Sequence, residues 1–260
     1  MTRGSLAPFA IAQRVYGLML RVVYQRRGMP WAVHGDTVRI HPGLRHLVPH
    51  SGEPALYEFL RTAIREGDRV LDVGAFLGIY AILAARRVGP DGRVLAVEPT
   101  PQSAALARRH FEYNAVTHRV QLLDAAVSDQ PGRAEFFEYA EPYVNSLVSA
   151  PDTSAAPVRR EVEVVTIDDV CRRFDFVPTL VRMDVQGAEI HALRGARDTI
   201  RKAGARLRLV VEMHPQCWPD FGVDESIARQ TIESLGLSAA PLVPGERLFS
   251  RDAHAVLTPV

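Results

Sequence analysis

A chain of 260 residues with 47% hydrophobic side chains is long enough to close a full core, which excludes a disordered or fibrous protein. Its 31 Lys and Arg nearly cancel its 30 Asp and Glu, and no basic run is interleaved with aromatics that would stack bases, so nucleic acid is excluded as a partner. The two cysteines, Cys171 and Cys217, stand too far apart to make a zinc site by themselves and suit a reducing compartment, the cytoplasm.

In chain order, Arg3, Arg14, Arg21, Arg26 and Arg27 precede the first acid, Asp36, with Phe9, Ile11, Tyr16, Leu18, Met19 and Leu20 among them. Arg14 and Arg21 break the apolar run well short of a membrane span, and Gln13 with Arg14 interrupts the apolar stretch a secretion signal needs. The expectation is a helix packed on the body, with an anionic membrane surface as the alternative contact. "WAVHGDTVRIHPG" then alternates around a His34–Gly35–Asp36 turn and predicts a hairpin, completing an N-terminal extension over residues 1–52 that hangs from the body as an appendage.

Residues 53–260 form the main domain. Its predicted elements are a helix from Pro54 to Arg65, a strand at "RVLDVG", a helix at "IYAILAARR", a strand at "GRVLAVEP" and a helix at "QSAALARRHFEYN". A third strand at "RVQLLDAAVSD" leads into a β-rich insertion: a turn at Asp129, "AEFFEYAE", a Pro142–Pro157 loop, and "VRREVEVVTIDDV" with Val162, Val164 and Thr166 on one face. The fourth strand is "TLVRMDVQG", followed by one helix from Ala188 to about Ala203, a fifth strand at "RLRLVVEMHP", and two closing strands. Short apolar strands alternating with amphipathic helices predict a doubly wound α/β fold with a mostly parallel sheet.

In such a sheet, ligands lie beyond the carboxyl ends of the strands, so the loop after "RVLDVG" is the first place to look. A dinucleotide fingerprint from Gly74 would need glycines at 76 and 79, and Phe76 and Ile79 stand there instead. The pattern Asp72, Gly74, Ala75, Phe76, Gly78 suits a ligand without a pyrophosphate but with an ammonium and a sulfonium, which Asp72 would attract. Glu98, followed by Pro99, ends the next strand where a carboxylate can accept both ribose hydroxyls. Asp124 ends the third strand ahead of the small Ala125 and Ala126, where an acid could accept from an adenine amino group. Each acid alone also fits a helix cap or a solvated strand end. Their order on successive strands describes S-adenosylmethionine.

With these residues assembled, the chain resembles the FkbM family of class I S-adenosylmethionine-dependent methyltransferases. The resemblance is carried by the stretch from Asp68 to Asn114, by "LLDAAVSDQPGRAEFF", and most specifically by "MDVQGAEIHALRGA". It implies a Rossmann-like fold and O-methylation of a hydroxyl on a sugar, glycolipid or secondary metabolite. It also implies that Asn145 and Ser146 lie near the cofactor, although a plain turn suits them equally. The chain departs from the family in having Arg182 for a common lysine, Gln186 for a glutamate and Thr100 for an asparagine. A guanidinium cannot release a proton, so a lysine-base mechanism is excluded here.

A hydroxyl needs a base to take its proton. The carboxyl edge of the fourth and fifth strands offers Asp184, Glu212 and His214, with His214 first for its near-neutral titration and Asp184 second. His214 also fits a merely bonded strand end. Asp184 with Glu212 or His214 could hold a divalent ion, but no paired Asp–Asn follows the fifth strand, and the expectation is a metal-free site. Glu189, at a helix start, is expected to favour the helix dipole. His41, His46 and His50 read as surface loop. The competing readings are a nicotinamide-dependent oxidoreductase, which Phe76 disfavours, and a non-catalytic module that binds the cofactor.

Overall fold

The computed structural model describes residues 7–139, 145–148 and 156–260, with side chains from residue 15 onward. Most of the predicted Pro142–Pro157 loop lies outside the described residues. Helix α1 (Ala7–Tyr24) opens the described chain, and β1 (Met29–Val33) pairs antiparallel with β2 (Asp36–Ile40) around His34 and Gly35. Both turn residues have positive φ, as a tight two-residue hairpin requires. Val38 and Ile40 are fully buried in one cluster with Leu56 of α2 (Pro54–Ala63), so the hairpin expected to hang as an appendage shares the core of the body.

Alternation along the next strands directs side chains into two cores, one on each sheet face. In β3 (Arg69–Val73), Leu71 and Val73 join Ile190, Leu193 and Trp218, whereas Val70 joins Leu56, Ile82 and Phe111. Helix α3 (Ile79–Arg87) leads to β4 (Arg93–Val97), and α4 (Pro101–Tyr113) leads to β5 (Val120–Leu123). The predicted third strand is divided: after Asp124 the chain leaves the main sheet, and Ala126–Val127 (β6) pairs with a second sheet. That sheet, β6 with β7 (Gly132–Glu138) and β8 (Val158–Val165), is the expected insertion, with Val162 and Val164 in its small core. Thr166 instead caps α5 (Ile167–Arg173), where its hydroxyl accepts from Asp169 N–H and the Asp169 carboxylate returns the bond.

After β9 (Leu180–Met183), the single helix expected from Ala188 is broken into α6 (Glu189–Arg194) and α7 (Arg197–Ala203). At Gly195 a Cβ would lie 2.4 Å from the Ser128 carbonyl oxygen, so the chain passes too close to the insertion to continue straight. Asp168 of α5 then caps α7, accepting from Asp198 N–H (3.1 Å) and Thr199 N–H (2.7 Å). Next come β10 (Arg208–Met213), α8 (Glu225–Ser234), β11 (Leu237–Pro241) and β12 (Ala253–Pro259). Helix α8 was not anticipated; Asp224 caps it by accepting from Ile227 N–H.

The main sheet has the order β11-β12-β10-β9-β3-β4-β5. Strands β10, β9, β3, β4 and β5 are parallel, and β12 is antiparallel to both β10 and β11. From β3 the chain builds outward through β4 and β5, then returns to add β9 on the other side. The switch point therefore lies between β3 and β9, where a doubly wound sheet opens a crevice.

Candidate active site

A cavity of about 870 Å³ lies over that switch point, within the range of small-molecule sites. Its floor begins at the turn after β3. Gly74 has φ of 79°, and a Cβ there would sit 1.8 Å from the Asp184 carbonyl oxygen, so only glycine lets the two loops meet. Phe76 also has positive φ, 48°. The position has a glycine-like backbone after all, with a ring added that lines the cavity. Its strained backbone is held by Glu98: Phe76 N–H donates to Oε2 (2.8 Å), and Thr100 N–H donates to Oε1 (2.9 Å). Burial raises the Glu98 pKa to about 7 against the pull of these two amides.

Beneath the floor, register sets Asp72 opposite Arg182. The buried guanidinium donates to the Gly74 carbonyl (2.8 Å) and Asp184 Oδ2 (2.9 Å), approaches Asp72 Oδ1 at 3.4 Å, and lies over the Tyr80 ring. Arg182 thus fastens the turn after β3 to the acid after β9. Where the resemblance leads one to expect a lysine, this chain has a planar fork that contacts both at once.

At the other end of the cavity, His214 is 4% exposed. Its Nδ1 is 2.8 Å from Glu189 Oε1, and its Nε2 faces Gln186 Nε2 at 3.1 Å, Glu212 Oε1 at 3.7 Å and Asp184 Oδ1 at 4.0 Å. Burial disfavours the charged ring. The hydrogen bond and charge of Glu189, followed by Asp184 and Glu212, outweigh it and raise the pKa to about 10. A shift in this direction favours the protonated ring at neutral pH, which weighs against His214 as the expected base because an imidazolium has no lone pair to accept a proton. The Gln186 side-chain amide donates to Asp184 Oδ1 (2.7 Å) from the same nitrogen that faces His214. The Glu212 pKa is raised as well: burial and the Asp184 charge hold it well above the usual carboxylate range. Glu53 and His254 complete this end, with His254 Nε2 3.1 Å from Glu53 Oε1 and 3.7 Å from Glu212 Oε2. Tyr80 donates to Glu53 Oε2 (2.8 Å). Burial would raise Glu53, but His254, Arg182 and Tyr80 bring it down to about 2.

Residues 72–237 match the Methyltransferase FkbM domain. The chain belongs to the FkbM methyltransferase family. Among curated relatives, it is 31% identical over 100 residues to the arsenite methyltransferase of Halobacterium salinarum, covering 38% of this chain and 24% of that protein. It is 45% identical over 49 residues to the protein-L-isoaspartate O-methyltransferase of Methanothrix thermoacetophila, covering 19% and 23%. The chain thus spans about a quarter of the length of these relatives. Among solved structures, the methyltransferase FkbM from Methylobacillus flagellatus aligns over 96% of this chain and 60% of its own, with TM-score 0.48 and 14% identity. The O-methyltransferase TomG from Streptomyces achromogenes aligns over 84% and 85%, with TM-score 0.49 and 15% identity.

In this FkbM-family chain, Gly74, Phe76, Glu98, Pro99, Ala125, Asn145, Ser146, Asp184, Glu212 and His214 all line the one cavity. Asn145 Nδ2 donates to Thr100 Oγ1 (3.4 Å), and the Ser146 hydroxyl donates to the Gln186 carbonyl (2.9 Å), so both fasten the insertion over the cleft. Four residues expected to touch the cofactor do not line the cavity. Asp72 is sealed under the turn with Arg182, so its charge is already compensated. Ala75 donates its N–H to Val97 O, while Gly78 packs against Phe111, whose ring a Cβ would strike at 2.5 Å. Asp124 is exposed and forms a bidentate pair with Arg108 (2.5 and 3.1 Å). The adenine-acceptor reading of Asp124 is corrected on that ground.

Sequence reasoning missed Glu53 and His254, which no local pattern marks, because one precedes a helix and the other lies in the last strand. Glu189 was read as a dipole partner. It is fully buried and accepts from Gly187 N–H, His214 and Trp218 Nε1. The expected surface loop is likewise more structured than its residues suggested: His41 accepts from Gly43 N–H, and His50 stacks on Trp31.

Proposed function

We propose that the protein transfers a methyl group from S-adenosylmethionine to a hydroxyl oxygen of a sugar, glycolipid or secondary metabolite. One observation carries this reading: a single cavity joins the Gly74–Phe76 turn and Glu98 at one end to Asp184, Glu212 and His214 at the other. The nucleoside end fits the residues present. Gly74 keeps the floor low, each Glu98 oxygen has a lone pair left after accepting one amide, and Ala125 and Ala126 leave room for a flat ring. When bound, S-adenosylmethionine supplies an electrophilic methyl group on a sulfonium.

The chain's own contribution is alignment and proton handling. Arg182 and Glu98 hold the floor in one geometry, which fixes the approach of the two reactants. Glu212 is the general base of this reading, since its raised pKa gives it appreciable proton affinity near neutrality. His214, kept cationic by Glu189, stabilises the oxygen as its proton leaves for Glu212. Asp184 is braced by Arg182 and Gln186 and orients the acceptor.

The group Asp184, Glu212 and His214 could converge on a divalent ion. An ion there would have to strip a proton from His214 and compete with Arg182 for Asp184, so the expected result is unchanged turnover in EDTA. The reading is tested by calorimetry and turnover together. Glu98→Ala should weaken S-adenosylmethionine binding at least about tenfold, the loss of one or two charge-assisted hydrogen bonds. Glu212→Gln should bind it normally and lower kcat about a hundredfold. Methyl-labelled cofactor incubated with extracts of the source cells then identifies the acceptor. Undiminished affinity in Glu98→Ala, or binding of NADH in place of S-adenosylmethionine, would overturn the reading.

A further inference from the structure

Ten large hydrophobic residues are exposed among the described residues, and six of them lie on α1: Val15, Tyr16, Leu18, Met19, Val22 and Val23, each 53–69% exposed. The spacing 15, 18, 19, 22, 23 places them on one helical stripe. The opposite side, with Gly17, Leu20 and Tyr24 half-buried, faces the body, where α1 meets the short turn Pro42–Leu44. The helix is therefore already docked, and the stripe is its outer surface.

The charge around the stripe has one sign. Arg21, Arg26 and Arg27 are exposed, and the first acid in the chain, Asp36, is already held by Arg87 and Tyr57. His41 lies in the same field, its pKa lowered by burial and then by Arg109 and Arg21. An apolar face flanked by uncompensated arginines matches the layered chemistry of an anionic bilayer, with acyl chains inside and phosphates outside. A second copy of this chain matches it poorly, because a twofold contact would set arginines of one copy beside arginines of the other with no acid on the helix to pair them.

We propose that α1 seats the protein on an anionic lipid bilayer, with the Val15–Val23 stripe at the acyl–headgroup boundary and Arg26 and Arg27 against lipid phosphates. The inference stands independently of the methyl-transfer reading. It is tested by flotation with vesicles of neutral phosphatidylcholine and with vesicles carrying about 30% phosphatidylglycerol. The protein should float with the second and not the first, and the bound fraction should fall at about 0.5 M salt. Leu18→Glu with Val22→Glu alters only exposed side chains; it should keep the wild-type melting temperature and lose vesicle binding about tenfold or more. Arg26→Glu with Arg27→Glu leaves the stripe intact and should abolish the preference for anionic lipid. Absence of flotation with anionic vesicles, or unchanged binding of the Leu18 and Val22 variant, would overturn the proposal. So would a dimer in sedimentation that this variant dissolves, which would assign the stripe to a second copy.

Discussion

Glu189 shows how far one carboxylate can act in a dry site. It is completely buried, and its three donors leave it no contact with solvent. Its charge is what keeps His214 protonated at an imidazole pKa of about 10. Glu189→Gln keeps the shape and removes the charge. The His214 titration, followed by imidazole NMR, should then fall by more than one pH unit toward its ordinary range, about 6.5. The basic limb of the pH–rate profile should move with it, and a titration that stays in place would show that another group sets the charge. The sequence displayed Glu189 openly in "MDVQGAEIHALRGA" but not its partner, because His214 meets it only when β10 is laid beside β9. Likewise, the placement of Gly74 and Glu98 at the cavity was legible because both stand at strand ends, whereas Asp124 looked the same and pairs with Arg108, a neighbour that spacing cannot reveal.

At the level of elements, regular βα units were readable because apolar runs and helical periodicity agree there, and the sheet edge followed from them. Breaks were less readable. The run from Ala188 to Ala203 has helical character throughout, and it breaks at Gly195, where the Ser128 carbonyl of the insertion lies too close to admit a side chain. Asp168 repairs the interruption by accepting two N–H groups at the start of α7. Asp168→Ala should therefore cost about 1–2 kcal/mol in urea unfolding, the usual value of a lost cap, with cofactor affinity unchanged because α7 is away from the cleft. A cost near zero would mean that packing alone holds α7. Helix α8 escaped notice for the opposite reason: its Asp224 cap and its Ala228–Thr231–Ile232 face are short signals in a segment without flanking strands of clear pattern.

Across the whole molecule, one buried histidine ties the N-terminal region to the turn after β3. His110 lies between His41 N–H, which it accepts from at Nε2, and the Leu77 carbonyl, which Nδ1 contacts at 2.9 Å. Burial lowers its pKa from 6.5 to about 4, so the folded protein binds this proton less readily than the unfolded chain. Its stabilisation is fully present above pH 6.5 and is lost as pH falls toward 4, about 3 kcal/mol in all. Glu98 has the opposite sign, since its raised pKa favours the folded state as pH falls below about 7. The two partly cancel in the wild type, so the informative quantity is the gap in unfolding free energy between wild type and His110→Gln. That gap should narrow as pH drops from 6.5 to 4, and a constant gap would remove His110 as the sensor.

Strand β12 follows β11 in the chain, yet it stands between β10 and β11 in the sheet. During synthesis on the ribosome, β11 emerges with no partner to bond until the residues after Ala253 arrive and thread in beside it. His254 sits on that late strand and approaches Glu53 and Glu212, two residues that line the cavity. A nascent chain halted before it would carry every residue that lines the cavity and still lack the His254 contacts to Glu53 and Glu212.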